Sequence, residues 1–500
     1  MLHLLPNFYI NTTTVFIISL LLVVLYEIIN GFHDSANALV IVVHTKVLSP
    51  KVAIIYSSIF NFLGVFFGGL SVAYAIIHLF PLKVIFDTSS NNGIKMITSV
   101  LIVSIFWNFL TWYLCLPISS SHTLLGSILG VSCIDALIKN ISIIQVLNIL
   151  NFKYVFLSFI ISPIIGLFFS GLLLLFFKKI LNKFYNKCYI NFKINNKKKS
   201  YKKNKPSLIM KIMLILSSFG VSYSHGANDG QKGVGLMMLI LIILTPSQYF
   251  INFQLTKSEI HDVQFFFENF KTSIFKSNED LKKKYFFSKN NSSPLNKNKY
   301  EINSTIFITN EQKNILYFIS YLEYILNLLD NFQNLTYNEK NQIRKHLLCI
   351  NNIIKEIICT IKIKEEKIYL NNMNIQISKL TQKTPFWVIF LIALSISIGT
   401  TMGWKRIFKT IGTKIGKKKI TYEQAISAQI ATALSVGFSS YFGFPISTTH
   451  ILSSSITGAI LFDGFQLQMH TIKNIIYAWF FTFPIVFFLS GFIYWLLLKI

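Results

Sequence analysis

The stretch SHGANDGQKGVG at residues 224–235 lies between SLIMKIMLILSSFGVSY (207–223) and LMMLILIILT (236–245), and its reading decides the fold. The flanks are apolar enough to cross a bilayer, yet the centre carries His225, Asn228, Asp229 and Lys232. Ionisable groups inside a membrane span are costly and are retained where they line a site or a pathway. Composition agrees with a membrane setting: 52% of residues are hydrophobic, 15% aromatic and only 13% charged. Apolar runs beyond the ~18 residues needed to span a hydrocarbon core recur along the chain. The first starts near Thr14 with no small-residue cleavage site behind it, and reads as a transmembrane helix rather than a removable leader.

The apolar segments are 14–45, 50–80, 94–116, 117–138, 150–177, 208–245, 386–404, 421–444, 445–462 and 474–499. Two polar stretches interrupt them. Residues 178–205 hold eleven lysines and no acid, which predicts a cytoplasmic loop. Residues 246–384 are mixed in charge and read as a soluble, helix-rich insert, with a low-complexity patch at 288–304. The net charge of +27 comes from loops rich in lysine, with Arg344 and Arg406 the only arginines. That distribution orients a membrane protein and does not read as a nucleic-acid surface. Cys115, Cys133, Cys188, Cys349 and Cys359 have no paired spacing and read as free thiols.

The centre of the opening stretch has a counterpart. NGFHDSANA at 30–38 aligns without gaps on HGANDGQKG at 225–233, matching Gly31 with Gly226 and Asp34 with Asp229. PISSSH at 117–122 matches PISTTH at 445–450. Asp34 precedes Ser119 by 85 positions and Asp229 precedes Ser447 by 218; the excess of 133 is close to the length of the insert. The chain therefore reads as a duplication, with 1–177 the first membrane repeat, 178–206 a basic linker, 207–245 and 385–500 the second repeat, and 246–384 the insert. Five crossings per repeat invert the second relative to the first. The loop 81–93 carries only Lys83, whereas its counterpart 405–419 carries seven basic residues. The first is expected outside and the second inside, which puts both termini outside. The predicted fold is an all-α polytopic membrane protein of two inverted-topology repeats, with helices broken at the midplane.

Each motif suggests a chemistry. Asp34 and Asn37 share a helix face, and Gly31 beside them would let the helix break or let a neighbouring backbone approach. The hydroxyls Ser119, Ser120 and Ser121, with Ser447, Thr448 and Thr449, follow a helix-interrupting proline and suit an oxyanion. His33, His122, His225 and His450 are candidate proton relays. A zinc site from them is not demanded by their spacing. Glu27, seven residues before Asp34, lies on nearly the same face and is a candidate coupling carboxylate. Glu423 and Asp463 read as solvated charges at helix ends.

GFHDSANA, SHGANDGQKG, PISSSH and PISTTH together resemble the inorganic phosphate transporter (PiT) family, and more closely its bacterial low-affinity phosphate permease branch. The resemblance covers both hydrophobic halves and not the insert. It implies a secondary transporter of the inner membrane, and no enzyme. Sodium-coupled members use the Asp-x-x-Asn pair of each half around cation and phosphate, with PIS hydroxyls on the anion. Here the second half has Asp229 and Lys232 in place of such a pair, and an ammonium has no lone pair for sodium. Lys232 is therefore expected to pair with Asp229 or to contact phosphate, while Asn228 joins Asp34, Asn37, Asp229 and Glu27 as candidate coupling groups. The branch resembled implies proton symport of a neutral metal–phosphate complex. A divalent cation such as magnesium would then be cargo, held by Asp34 and Asp229, with no resident cofactor. A homodimer is among the assemblies the sequence allows. Sodium-coupled transport of phosphate or sulfate is the alternative reading, and an intramembrane Ser/His/Asp hydrolase a distant one.

Overall fold

A computed structural model describes residues 10–80, 92–116, 118–140, 149–192, 208–244, 265, 384–402, 416 and 420–499. Of residues 10–13, 35–40, 149–151, 154 and 180–192 only the backbone is described. The low-complexity patch, Cys349, Cys359, the loop 81–91 and, apart from residues 265 and 384, the insert lie outside the described residues. The chain divides into one unit of 1–244 with 384–500 and another of 245–383. The first unit holds both aspartate motifs and both hydroxyl motifs.

Its described elements are all helical: α1 (Ile10–His44), α2 (Pro50–Phe67), α3 (Ser71–Leu79), α4 (Asn92–Tyr113), α5 (Ser120–Ile138), α6 (Ile149–Phe192), α7 (Leu208–His225), a π turn (Gly226–Gly230), α8 (Gln231–Leu244), α9 (Phe386–Thr401), α10 (Tyr422–Tyr441), α11 (Thr448–Phe462) and α12 (Met469–Lys499). Among the described residues, seven spans are long and apolar enough to cross a membrane, fewer than the ten apolar segments of the sequence. The difference has a physical source. α9 is apolar but has 16 residues and α11 has 15. α10 is diluted by Gln424, Ser427, Gln429 and Thr432, all turned inward. Rings such as Phe480 and Phe488, more than 70% exposed, cover the outside of α12, as suits a lipid-facing surface.

The helices cross in matched pairs. A Cβ on Gly31 of α1 would overlap the Ile396 carbonyl oxygen of α9; at the aligned Gly226 it would overlap that of Asn61 on α2. The same holds one layer away. Gly130 of α5 and Gly458 of α11 lie eleven positions after Ser119 and Ser447, and lack of a side chain lets the backbones of α12 and α6 approach. Ser490 Oγ of α12 donates to the Ser127 carbonyl at 3.1 Å, and Ser170 Oγ of α6 to the Ser455 carbonyl at 2.7 Å. Hence α1, α2, α7 and α9 form one set of crossings, while α5 with α12 and α6 with α11 form another. Close approach through small residues is how helices associate where burial of apolar surface gives little driving force.

The interruptions differ from expectation in place. α1 runs unbroken through Gly31 and Asp34, so close approach and not a break is what that glycine provides. The second motif is a π turn within a continuous 37-residue span, Leu208–Leu244. A π turn carries an extra residue and so re-aims the side chains it holds. True interruptions stand before α5 and α11, where Ser119 and Ser447 have extended backbones.

Gly64→Ala puts a Cβ into the Tyr223 carbonyl and should destabilise the protein by about 1–3 kcal/mol, the usual cost of overpacking. Gly437→Ala, whose nearest neighbour would be the Ser224 side chain at 4.0 Å, should be tolerated. Thermal unfolding in detergent compares the two, and equal melting would count against the close α2–α7 crossing.

Candidate functional site

The hydroxyl motifs open α5 and α11, and their first members act on the helices themselves. Ser119 Oγ accepts the backbone N–H of His122 at 3.2 Å, and Ser447 Oγ that of His450 at 3.2 Å. These are N-caps. The first hydroxyl of each trio thus already holds a helix amide. Pro117 lies outside the described residues.

Three of the four remaining hydroxyls meet the two aspartates. Asp34 is 2% exposed, and its carboxylate accepts from Ser120 Oγ at 3.2 Å and Thr449 Oγ1 at 2.7 Å. Asp229 is fully buried and accepts from Thr448 Oγ1 at 2.8 Å. By the motif alignment Ser120 matches Thr448, and Ser121 matches Thr449. A faithful copy would therefore place Ser121 on Asp229. Instead the buried Lys232 ammonium stands between them, donating to Asp229 Oδ1 and Ser121 Oγ, with the Ile446 carbonyl at 3.3 Å. Ser121 passes its own proton to that carbonyl at 2.8 Å. The pairing of Lys232 with Asp229, one of the two expected roles, is thus realised.

His225 adds a ligand that was expected only as a relay. Its Nε2 is 3.1 Å from Asp229 Oδ2, and its Nδ1 is 3.1 Å from Asn61 Oδ1. Thr400 Oγ1 donates to the Ile396 carbonyl, so it accepts from Asn61 Nδ2, which turns the Asn61 carbonyl oxygen toward the imidazole. Nδ1 must then be the donor. Nε2 is left facing a carboxylate oxygen, an arrangement that calls for a proton or a cation between them. One ligand atom from each of Asp34, His225 and Asp229 lies within 4.8 Å of the others, a spacing a single metal ion can bridge. Asn61 and Thr400 belong to no motif, and only the packing of α2 on α9 brings them here.

The other candidates are dispersed. His33 Nδ1 lies 3.5 Å from Asp34 Oδ1. The Asn37 side chain is outside the described residues. Asn228 turns away from the aspartates, donating to Ser440 Oγ at 3.2 Å and the Phe444 carbonyl at 3.1 Å, and so braces the π turn on α10. His122 and His450 do not reach the carboxylates. They lie 4.5 Å apart in a row of four rings, with Phe159 4.2 Å from His122 and Trp479 3.8 Å from His450. Glu27 is fully buried beside Asn30 and Gly233. Asp463 is no solvated end charge: its side chain is 4% exposed, pairs with Lys178 and accepts from Gln424 Nε2 at 2.6 Å. Glu423 sits half-buried in the first turn of α10.

The model of the phosphate transporter family matches residues 30–490. The chain belongs to that family. This member of the phosphate transporter family is 43% identical to a low-affinity inorganic phosphate transporter of Buchnera aphidicola over 100% of its own length and 99% of the relative. It is 37% identical to the low-affinity inorganic phosphate transporter PitA of Escherichia coli over the full length of both. A solved structure described as the sodium-dependent phosphate transporter shares the fold, with a TM-score of 0.56 at 19% identity, covering 97% of this chain and 100% of that one. This family member is a multi-pass membrane transporter and not an enzyme, which removes the hydrolase reading. Ser121 accordingly faces Lys232 and a carbonyl where a nucleophile would need a base.

Removing one member of a buried ion pair leaves the other uncompensated. Lys232→Met is expected to cost about 3–5 kcal/mol, and adding Asp229→Asn to recover most of it. Ser119→Ala should cost about 1 kcal/mol as a lost cap. Chemical denaturation in detergent ranks the three, and a Lys232→Met protein as stable as wild type would show that the pair carries no such penalty.

Proposed function

We propose that the chain takes up inorganic phosphate across the bacterial inner membrane as a neutral complex with a divalent metal ion, by symport with protons. Full-length relatives named as low-affinity inorganic phosphate transporters support the cargo. One observation carries the finer reading. Within the site the hydroxyls of Ser120, Thr448 and Thr449 are spent on the carboxylates of Asp34 and Asp229. Bare phosphate could take the hydroxyls but would leave two carboxylates facing an anion. A metal–phosphate complex replaces both partners together: phosphate oxygens accept from the hydroxyls, while the metal takes the carboxylate oxygens and His225 Nε2.

In this reading Ser120, Ser121, Thr448 and Thr449 hold the anion, and Ser119 and Ser447 aim the amides of α5 and α11 at it. Lys232 leaves Asp229 for a phosphate oxygen, which frees Asp229 for the metal. Asn37 completes the first half's side of the site. The coupled ion is the proton, because Lys232 already occupies the carboxylate, hydroxyl and carbonyl oxygens that would otherwise hold a monovalent cation. The matched glycine crossings support two repeats related by a two-fold, the second inverted, and the eleven lysines of 178–205 support a linker inside and both termini outside.

Purified protein in liposomes should accumulate phosphate under an imposed pH gradient, and more so with magnesium present. Accumulation driven by sodium and indifferent to pH would make it a sodium symporter. Asp34→Asn and Asp229→Asn should each lower uptake at least about tenfold, the factor that goes with about 1.4 kcal/mol of lost binding, with the protein still in the membrane. Unchanged uptake in either variant removes that residue from the site.

A further inference from the structure

Outside the phosphate site, α1 carries a second buried polar cluster. Glu27 is fully buried, its carboxyl set beside the Asn30 amide and the Gly233 backbone without a well-formed hydrogen bond to either. Both amide atoms of Asn30 and the hydroxyl of Tyr26 are likewise buried without a well-formed hydrogen bond. Glu27, Asn30 and Asp34 are spaced three and four apart on an unbroken helix and so share one face. They form a ladder of about 10 Å ending at the substrate aspartate. The upper end is fitted to a neighbour: the Glu27 carboxyl lies flat against Gly233, where any Cβ would overlap it, next to Lys232 in the chain.

Five polar atoms without a well-formed hydrogen bond in a membrane interior are expensive as packing and call for a function. A carboxylate so thinly supplied with donors is costlier there than the neutral acid. We infer that Glu27 carries the coupled proton, crossing as the neutral carboxylic acid when the site is loaded and exchanging its proton where the ladder opens to water. The assignment rests on the symport reading. On the inner side Glu27 gives its proton to water, forming hydronium and leaving the carboxylate; on the outer side the carboxylate takes a proton back.

Charged groups from the second repeat, Asp229 and Lys232, bear on the carboxyl, so its ionisation is linked to where that lysine points. The neighbouring helices add little. α9 has no titratable residue, α4 has Lys95 and Tyr113 near its ends, and α2 has Lys51 and Tyr56 in its first turns. On α7 the nearest titratable group, His225, is engaged with Asp229. The aligned position in the second repeat is Ser222, already bonded to Ser57 at 3.0 Å. One carrier per duplicated pair follows.

The test is Glu27→Gln in liposomes loaded with a pH indicator, with two readouts. Net proton entry and pH-driven phosphate accumulation should fall at least tenfold, while exchange of internal for external phosphate, which needs no net proton, persists. Should E27Q not reach the membrane, E27D takes its place, expected to accumulate phosphate with a shifted pH profile. Proton entry intact in wild type and E27Q alike, exchange lost together with accumulation, or an unshifted E27D profile overturns the assignment. Wild-type uptake without proton entry instead overturns the symport reading, and this assignment with it.

Discussion

A buried ammonium held by a buried carboxylate sets the terms for the rest of this structure. Lys232 and Asp229 are both fully enclosed by helices, where neither charge can stand alone. Their contact fixes the π turn to α8. It also ties the turn to Ser121 at the start of α5, and to Ile446 just before α11. A single charge therefore satisfies groups from both sets of crossings. Movement between them has to break or reassign those bonds, and an arriving anion is the natural agent.

The two halves keep matching glycine crossings and differ at single residues of their motifs. The ladder Glu27, Asn30, Asp34 and Asn37 aligns with Ser222, His225, Asp229 and Lys232. One copy carries two acids and no fixed base. The other carries one acid, a histidine and a lysine. With the same backbone crossings kept in both halves, the site gains a divided labour without a new fold. The acid-rich ladder suits proton carriage and the base-rich one suits holding an anion and its metal.

Much of this was legible in residues before any coordinate. Charge in an apolar run located Asp229 and Lys232, and the repeat located Asp34 and the hydroxyl trios. Periodicity was silent on how matched motifs are used. Ser119 and Ser447 look like their neighbours in sequence, but their position at a helix start makes them caps. Asp463 looked like an end charge because its partner, Lys178, lies 285 positions away. Asn61 and Thr400 sit in ordinary apolar helices, and only a crossing made close by glycine turns them into the support of His225. Asn30 could have been found, since it is four residues from Asp34 on the same face.

A transporter must also return empty, and the resting site is suited to that step. Its hydroxyls and carboxylates satisfy one another, and Lys232 satisfies Asp229, so no bare donor or acceptor is left among these groups to resist passage through the apolar interior. The same self-satisfaction limits affinity. Substrate gains only the difference between its bonds and those it displaces, which is small when like replaces like. Weak binding and easy return are then two consequences of one design. The exception is Glu27, which on the proposed cycle makes the return as the carboxylate, with Asn30, the Gly233 backbone and the Lys232 charge beside it.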